Sequence, residues 1–186
     1  MNQTLSIQAT SIHDLKLVER RQRGDSRGFL SRLFCADELR SAGWHLPIAQ
    51  VNHTYTANRG TVRGMHFQHQ PFSEMKLVTC IRGEVWDVAV DVRNNSPSFL
   101  EHFGVNLSAT NKLALLIPEG FAHGFQSLTD DVELLYLHSQ NYNPDYEGGL
   151  HPEDGGLCIN WPLKITQLSD RDNALPGVSA FGGLEV

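Results

Sequence analysis

The stretch from Lys76 to Val92 is the strongest constraint on the fold. Two β-rich segments, Lys76-Leu77-Val78-Thr79-Cys80-Ile81 and Glu84 to Val92, flank the turn-forming pair Arg82-Gly83, a pattern that predicts a hairpin. In the second segment Asp87 and Asp91 share parity with Val85 and Ala89, while Trp86, Val88 and Val90 point the other way. One face is therefore expected to be apolar and the other to hold carboxylates. Further strands are expected at Gln50 to Tyr55, Phe99 to Leu107, Ala114 to Ile117, Gly124 to Leu128 and Val132 to His138. Many short strands separated by turn signals such as Asn94-Asn95-Ser96-Pro97 predict an all-β sandwich or barrel. A short helix is expected over Ala36 to Ala42, with Asp37 and Glu38 in its first turn and Gly43 at its stop. Residues 1–186 show no linker and no repeat, and read as one domain.

A formal net charge of −6 speaks against nucleic acid or an anionic membrane as partner, since both reward a basic face. Cys35, Cys80 and Cys158 are odd in number and widely spaced, which suits reduced thiols rather than a disulfide framework. Met1 to Thr10 lacks a cationic region followed by an apolar core, and no apolar run approaches the roughly 18 residues of a membrane span. A cytoplasmic protein is the expectation.

Two constellations carry chemistry. In Arg63-Gly64-Met65-His66-Phe67-Gln68, His66 is a potential base, and Lys76, ten residues on, is a potential oxyanion stabiliser. In Pro118-Glu119-Gly120-Phe121-Ala122-His123-Gly124-Phe125, the Pro-x-Gly-x-x-His spacing resembles the second motif of cupins, the double-stranded β-helix jelly rolls, and would put His123 inside a barrel. Metal-binding cupins supply two histidines at i and i+2 from their first motif. Here His69 lies at i+3 from His66, on the opposite face of a regular strand. The chain therefore looks like a metal-free cupin, with His66, Glu74 and His123 as the set a metal would otherwise require.

From Asp25 to Pro176 the chain resembles dTDP-4-dehydrorhamnose 3,5-epimerases and related nucleotide-sugar epimerases of the cupin superfamily. The likeness is carried by Asp25-Ser26-Arg27-Gly28-Phe29, Gln50-Val51-Asn52-His53, Arg63 to Gln68, Lys76-Leu77-Val78, Gly83 to Asp91, Ser96-Pro97, Ile117 to Phe125, Leu135-Tyr136, Tyr142-Asn143-Pro144, Trp161-Pro162 and Leu168-Ser169-Asp170-Arg171-Asp172. It implies an all-β jelly roll with a few short helices that acts, without cofactor or metal, on a nucleotide-diphosphate sugar. The reaction it implies is removal of the C3 or C5 proton beside a C4 ketone, followed by reprotonation from the opposite face.

Under that resemblance His66 is the base, Asp172 its carboxylate partner, Lys76 the stabiliser of the enolate oxygen and Tyr136 the acid. Asp87 is a further candidate for a polar contact near His66. Arg27, Gln50, Asn52, Arg63, His123, Tyr142, Glu147 and Arg171 are implied substrate contacts. The resemblance also implies a homodimer with exchanged N-terminal strands, in which Arg27 serves the neighbouring subunit. His53, His69, His138 and His151 read as structural or surface residues.

The chain departs from the family's usual pattern at Arg32 in place of a glutamate, Asn141 in place of a tyrosine, Leu137 in place of a lysine and Leu116 in place of a tryptophan. A glutamate can accept the N3–H of thymine, whereas Arg32 can only donate, to cytosine acceptors or to a phosphate. That leaves dTDP as the default nucleotide and CDP as the competitor. Epimerisation at one carbon only, a metal-dependent cupin and a non-catalytic sugar-binding jelly roll are the other readings. The Gly-rich tail, Ala174 to Val186, is expected to pack loosely.

Overall fold

Alternating polarity explains why the chain folds into two facing sheets. In the computed structural model, which describes residues 3–185, Val78 and Cys80 of one sheet meet Val85, Ala89, Leu107, Phe121 and Phe125 of the other in a shared core. One sheet is six-stranded, in the spatial order Leu5–Ala9 (β1), Lys16–Arg20 (β2), Leu113–Ile117 (β10), Lys76–Arg82 (β7), Val132–His138 (β12) and Gln50–Thr56 (β5). The other is five-stranded: Glu147–Gly149 (β13), Val62–Gln68 (β6), Phe121–Ser127 (β11), Glu84–Asp91 (β8) and His102–Ser108 (β9). Gln22–Asp25 (β3) and Gly28–Ser31 (β4) form a separate hairpin. The pairings between these strands are antiparallel, as a jelly roll requires.

The expected hairpin over Lys76 to Val92 is corrected. β7 and β8 are consecutive but lie in different sheets. Gly83, at φ +72, turns the chain from one wall of the barrel to the other, and a Cβ there would meet the Thr129 hydroxyl at 2.6 Å. A tight glycine turn serves a corner as well as a hairpin; what decides is that Val78, Cys80, Val85 and Ala89 all need the same interior.

The two faces of β8 are also redistributed. Asp87 and Asp91 are fully buried on the interior side, beside Val85 and Ala89. Asp91 is ringed by Arg93, Ser96 and Ser98, whose hydrogen bonds outweigh the upward push of burial and keep its carboxyl below its usual range. Val88 and Val90 face outward under a cover of Leu150, Leu157 and Leu184, with Val178 and Phe181 packed on it. The tail is thus not loose over its described part. Leu184 is buried and exchanges backbone hydrogen bonds with Val92 and Asn94.

The outer face of the six-stranded sheet is covered by the helix Ala36–Leu39 (α1) and its 3-10 extension Arg40–Ala42, with Gly43 at φ +105 closing it. Leu39, Ala42 and Trp44 pack there on Leu77, Leu116 and Leu137. Leu116 and Leu137, the two family departures on these strands, are therefore outer-face core residues. Among the described residues no helix is long and apolar enough to cross a membrane. Cys35, Cys80 and Cys158 are free thiols.

Candidate active site

β6 and β11 pair out of register by one residue, with His66 opposite His123 but Arg63 opposite Phe125. The extra residue on β6 is a bulge, and it allows Arg63 and His66, three apart, to line one cleft where a regular strand would send them to opposite faces. Gly64 sits in the bulge at φ +128, where a Cβ would lie 2.5 Å from the Cα of Gly124 and 2.8 Å from the His123 carbonyl oxygen. A Gly64→Ala protein is expected to lose about 3 kcal/mol of stability and about 10 °C of melting temperature, measured by calorimetry.

The cleft, of about 620 Å³, opens between the sheets. On the five-stranded wall the His66 Nε2 lies 2.7 Å from Asp172 Oδ1, and the Gly64 N–H donates to Asp172 Oδ2 at 3.2 Å. Asp172 belongs to the one-turn helix Asp170–Asn173 (α2), where the Ser169 side chain accepts from its backbone N–H. Burial pushes the Asp172 carboxyl up, but the His66 and Gly64 contacts outweigh it and leave the group below its usual value. An ionised carboxylate only accepts, so the proton between the pair sits on His66 Nε2. Nδ1 is the ring nitrogen not committed to that carboxylate.

The six-stranded wall supplies Lys76 from β7 and Tyr136 from β12. Burial, and next the Asp87 charge, push the Tyr136 hydroxyl up, so it holds its proton at neutral pH. Asp87 does not reach for His66: its Oδ1 takes His123 Nε2 at 2.9 Å, both side chains being buried, and the His123 ring meets Tyr136 edge-on.

Of the remaining contacts foreseen from the sequence, Asn52, Arg63, His123, Tyr142, Glu147 and Arg171 line the cleft. Gln50 supports it from the rim, its Oε1 accepting from the Tyr142 N–H at 3.2 Å. Glu147 ties the mouth together, accepting from the Tyr142 hydroxyl and pairing with Arg171. Arg27 and Arg32 stand apart within the protomer. Arg27 is exposed on the β3–β4 turn, paired with Asp25 at 2.6 Å. Arg32 pairs at 3.1 Å with Glu38, whose carboxylate also takes the Thr4 and Leu5 N–H groups, so it ties β1 to α1.

Two cleft residues were missed. The sequence reads His138 as structural and Glu74 only as a metal ligand with His66 and His123. Glu74 instead joins Lys76 Nζ at 3.2 Å and His138 Nδ1 at 2.7 Å. The available signal was the period of two: His138 follows Tyr136 by two residues on one strand, and Glu74 precedes Lys76 by two.

Residues 9–180 match the model of the family described as dTDP-4-dehydrorhamnose 3,5-epimerase. The chain belongs to that family. Among curated members of this epimerase family, the Shigella flexneri dTDP-4-dehydrorhamnose 3,5-epimerase is 41% identical over 169 residues, 90% of this chain and 93% of that one. A dTDP-4-dehydrorhamnose 3-epimerase of Streptomyces niveus is 41% identical over 152 residues, 81% of this chain and 73% of that one. Among solved structures, the Legionella pneumophila dTDP-6-deoxy-D-glucose-3,5-epimerase in complex with dTDP-4-keto-L-rhamnose superimposes with a TM-score of 0.90 at 38% identity, covering 95% of this chain and 94% of that one. The epimerase jelly roll expected from the motifs is the fold of this chain.

Proposed function

We propose that this epimerase inverts C3 and C5 of a dTDP-linked 4-keto-6-deoxyhexose. One observation carries the reading: the histidine–carboxylate pair stands on one wall of the cleft, while a protonated tyrosine and a lysine stand on the other. A sugar between the walls meets a base on one face and an acid on the opposite face, which is what inversion at carbon needs. His66 Nδ1 takes the proton from the carbon beside the ketone, and the electron pair moves into the C4 oxygen. Lys76 stabilises that oxygen, and Asp172 stabilises the imidazolium. Tyr136 then gives its proton to the other face.

Arg63, Arg171, Asn52 and Gln50 belong to substrate binding in this reading, the arginines taking diphosphate oxygens. The position of Arg32 on Glu38 favours dTDP over CDP, because the residue that would have suited cytosine is engaged elsewhere in the protomer. Inversion at a single carbon is the second reading, favoured by the likeness to the Streptomyces niveus 3-epimerase.

Residues 1–186 act as one domain in this proposal, and the protein works in the cytoplasm as a homodimer that exchanges its N-terminal strands. The β3–β4 hairpin supports the dimer, with Phe29 69% and Leu30 68% exposed beside Arg27. The test is proton NMR in D2O with dTDP- and CDP-linked 4-keto-6-deoxyglucose in parallel. The C3 and C5 signals are expected to disappear with the dTDP sugar. Loss of one signal alone selects the single-carbon reading, faster loss with the CDP sugar reverses the nucleotide assignment, and loss of neither sinks the epimerase reading.

A further inference from the structure

The Glu74–Lys76–His138 cluster lies in the cleft, yet the reaction above uses only its lysine. We infer that His138 recognises the C3 hydroxyl of the sugar and that Glu74 is the positioning residue that aims it.

His138 of β12 is the direct cross-strand partner of Lys76 of β7, so the two side chains enter the cleft side by side. Glu74 clamps both, one carboxylate oxygen to each. The side chains of Glu74, Lys76 and His138 are only 9%, 9% and 10% exposed, so none of them is a solvated surface charge. Their backbones are locked together as well. The Met75 N–H donates to the Ser139 hydroxyl at 2.8 Å, and the Ser139 N–H donates to the Met75 carbonyl at 3.1 Å.

The clamp also sets the tautomer. Burial pushes the Glu74 carboxyl up, but Lys76 and His138 more than offset it, and the group stays ionised. An ionised carboxylate only accepts, so the proton it receives from His138 is on Nδ1. Nε2 is left on the cleft side, where its hydrogen-bond partner among the described residues is Asn52 Nδ2, at a long 3.4 Å. The Glu74 contact at 2.7 Å sets the ring's direction, and the ring lies alongside Tyr136 with centroids 5.9 Å apart and planes 16° from parallel.

At 3.4 Å that contact is weak, so a ligand hydroxyl that enters the cleft and donates to Nε2 at shorter range gains a hydrogen bond where water is expelled. The substrate chemistry offers such a hydroxyl. With the C4 oxygen on Lys76, the neighbouring carbons are C3, which bears a hydroxyl, and C5, which bears a methyl that cannot donate. Only the C3 side satisfies Nε2, so the acceptor fixes which way round the ring lies. The inference rests on the epimerase reading for the choice of sugar, and its test includes a readout that does not.

The test compares binding of two ligands by titration calorimetry: a dTDP-linked 4-keto-6-deoxyhexose and its 3-deoxy counterpart. The wild-type protein is expected to bind the hydroxylated sugar about tenfold more tightly, the worth of one buried hydrogen bond. His138→Leu is expected to bind both alike, Glu74→Gln to keep part of the preference, and His138→Gln, which retains an acceptor, to keep more than His138→Leu. Equal affinities in the wild type, or an undiminished preference in His138→Leu with its melting temperature intact, overturn the inference. Should His138→Leu fail to fold, the comparison of Glu74→Gln with wild type decides in the same terms. Deuterium exchange on the same samples separates the two claims: a wild-type preference without any exchange sinks the epimerase reading and leaves the hydroxyl contact standing.

Discussion

His66→Ala is expected to lower turnover by about a thousandfold while leaving the affinity for the dTDP sugar within a few-fold of wild type, since a positioned base contributes to the chemical step and little to binding. Histidine is the side chain whose ordinary protonation range suits a base at neutral pH, and here one ring nitrogen is committed to Asp172 at 2.7 Å. Alanine removes the base and leaves Asp172 with its Gly64 and Ser169 contacts, so the wall of the cleft keeps its shape. Stopped-time NMR for turnover and calorimetry for binding give the two numbers. Residual turnover within tenfold of wild type would assign the base elsewhere.

Tyr136→Phe separates two events that His66→Ala abolishes together. The base still removes the proton and, having exchanged it with solvent, returns a deuteron to the same face. Label therefore enters the sugar in D2O, while the inverted product forms about a hundredfold more slowly for want of the acid on the far wall. Phenylalanine preserves the packing against His123 and His138, so the loss is of the hydroxyl alone. NMR resolves label uptake and configuration in one spectrum. Inversion and exchange falling by equal factors would contradict a dedicated acid at this position.

Strand-level features were legible where alternation is clean. Val132 to His138 is a strand with the bounds read from the sequence, and the Ala36 to Ala42 helix with its Gly43 stop is present as α1 and a 3-10 turn. Sheet assignment was not legible at Gly83, because local turn chemistry does not say whether the next strand pairs with the last or faces it across a core. The polar side of β8 illustrates the same limit. The face that holds the carboxylates is the buried interior one, where His123, Arg93 and two serines that only the tertiary fold brings near hydrogen-bond to them.

At the site, His66, Lys76, Tyr136 and Asp172 were legible through family resemblance, and the structure places all four in the cleft. Arg63 and His66 share a face only because of a bulge that strand periodicity cannot foresee. Glu74 and His138 were overlooked for a different reason. His138 reads alone as structural and Glu74 only as a metal ligand with His66 and His123, whereas their meaning lies in the contact that the β7–β12 pairing makes between them.

The partnership of His66 and Asp172 spans 106 residues of chain. During synthesis the base emerges long before the helix that orients it, and that helix leads directly into the tail that seals the outer face of the same sheet. A chain that has closed its strands but not yet placed the Asp170–Asn173 helix is expected to hold an unoriented His66, so the onset of activity would report that folding has reached that helix.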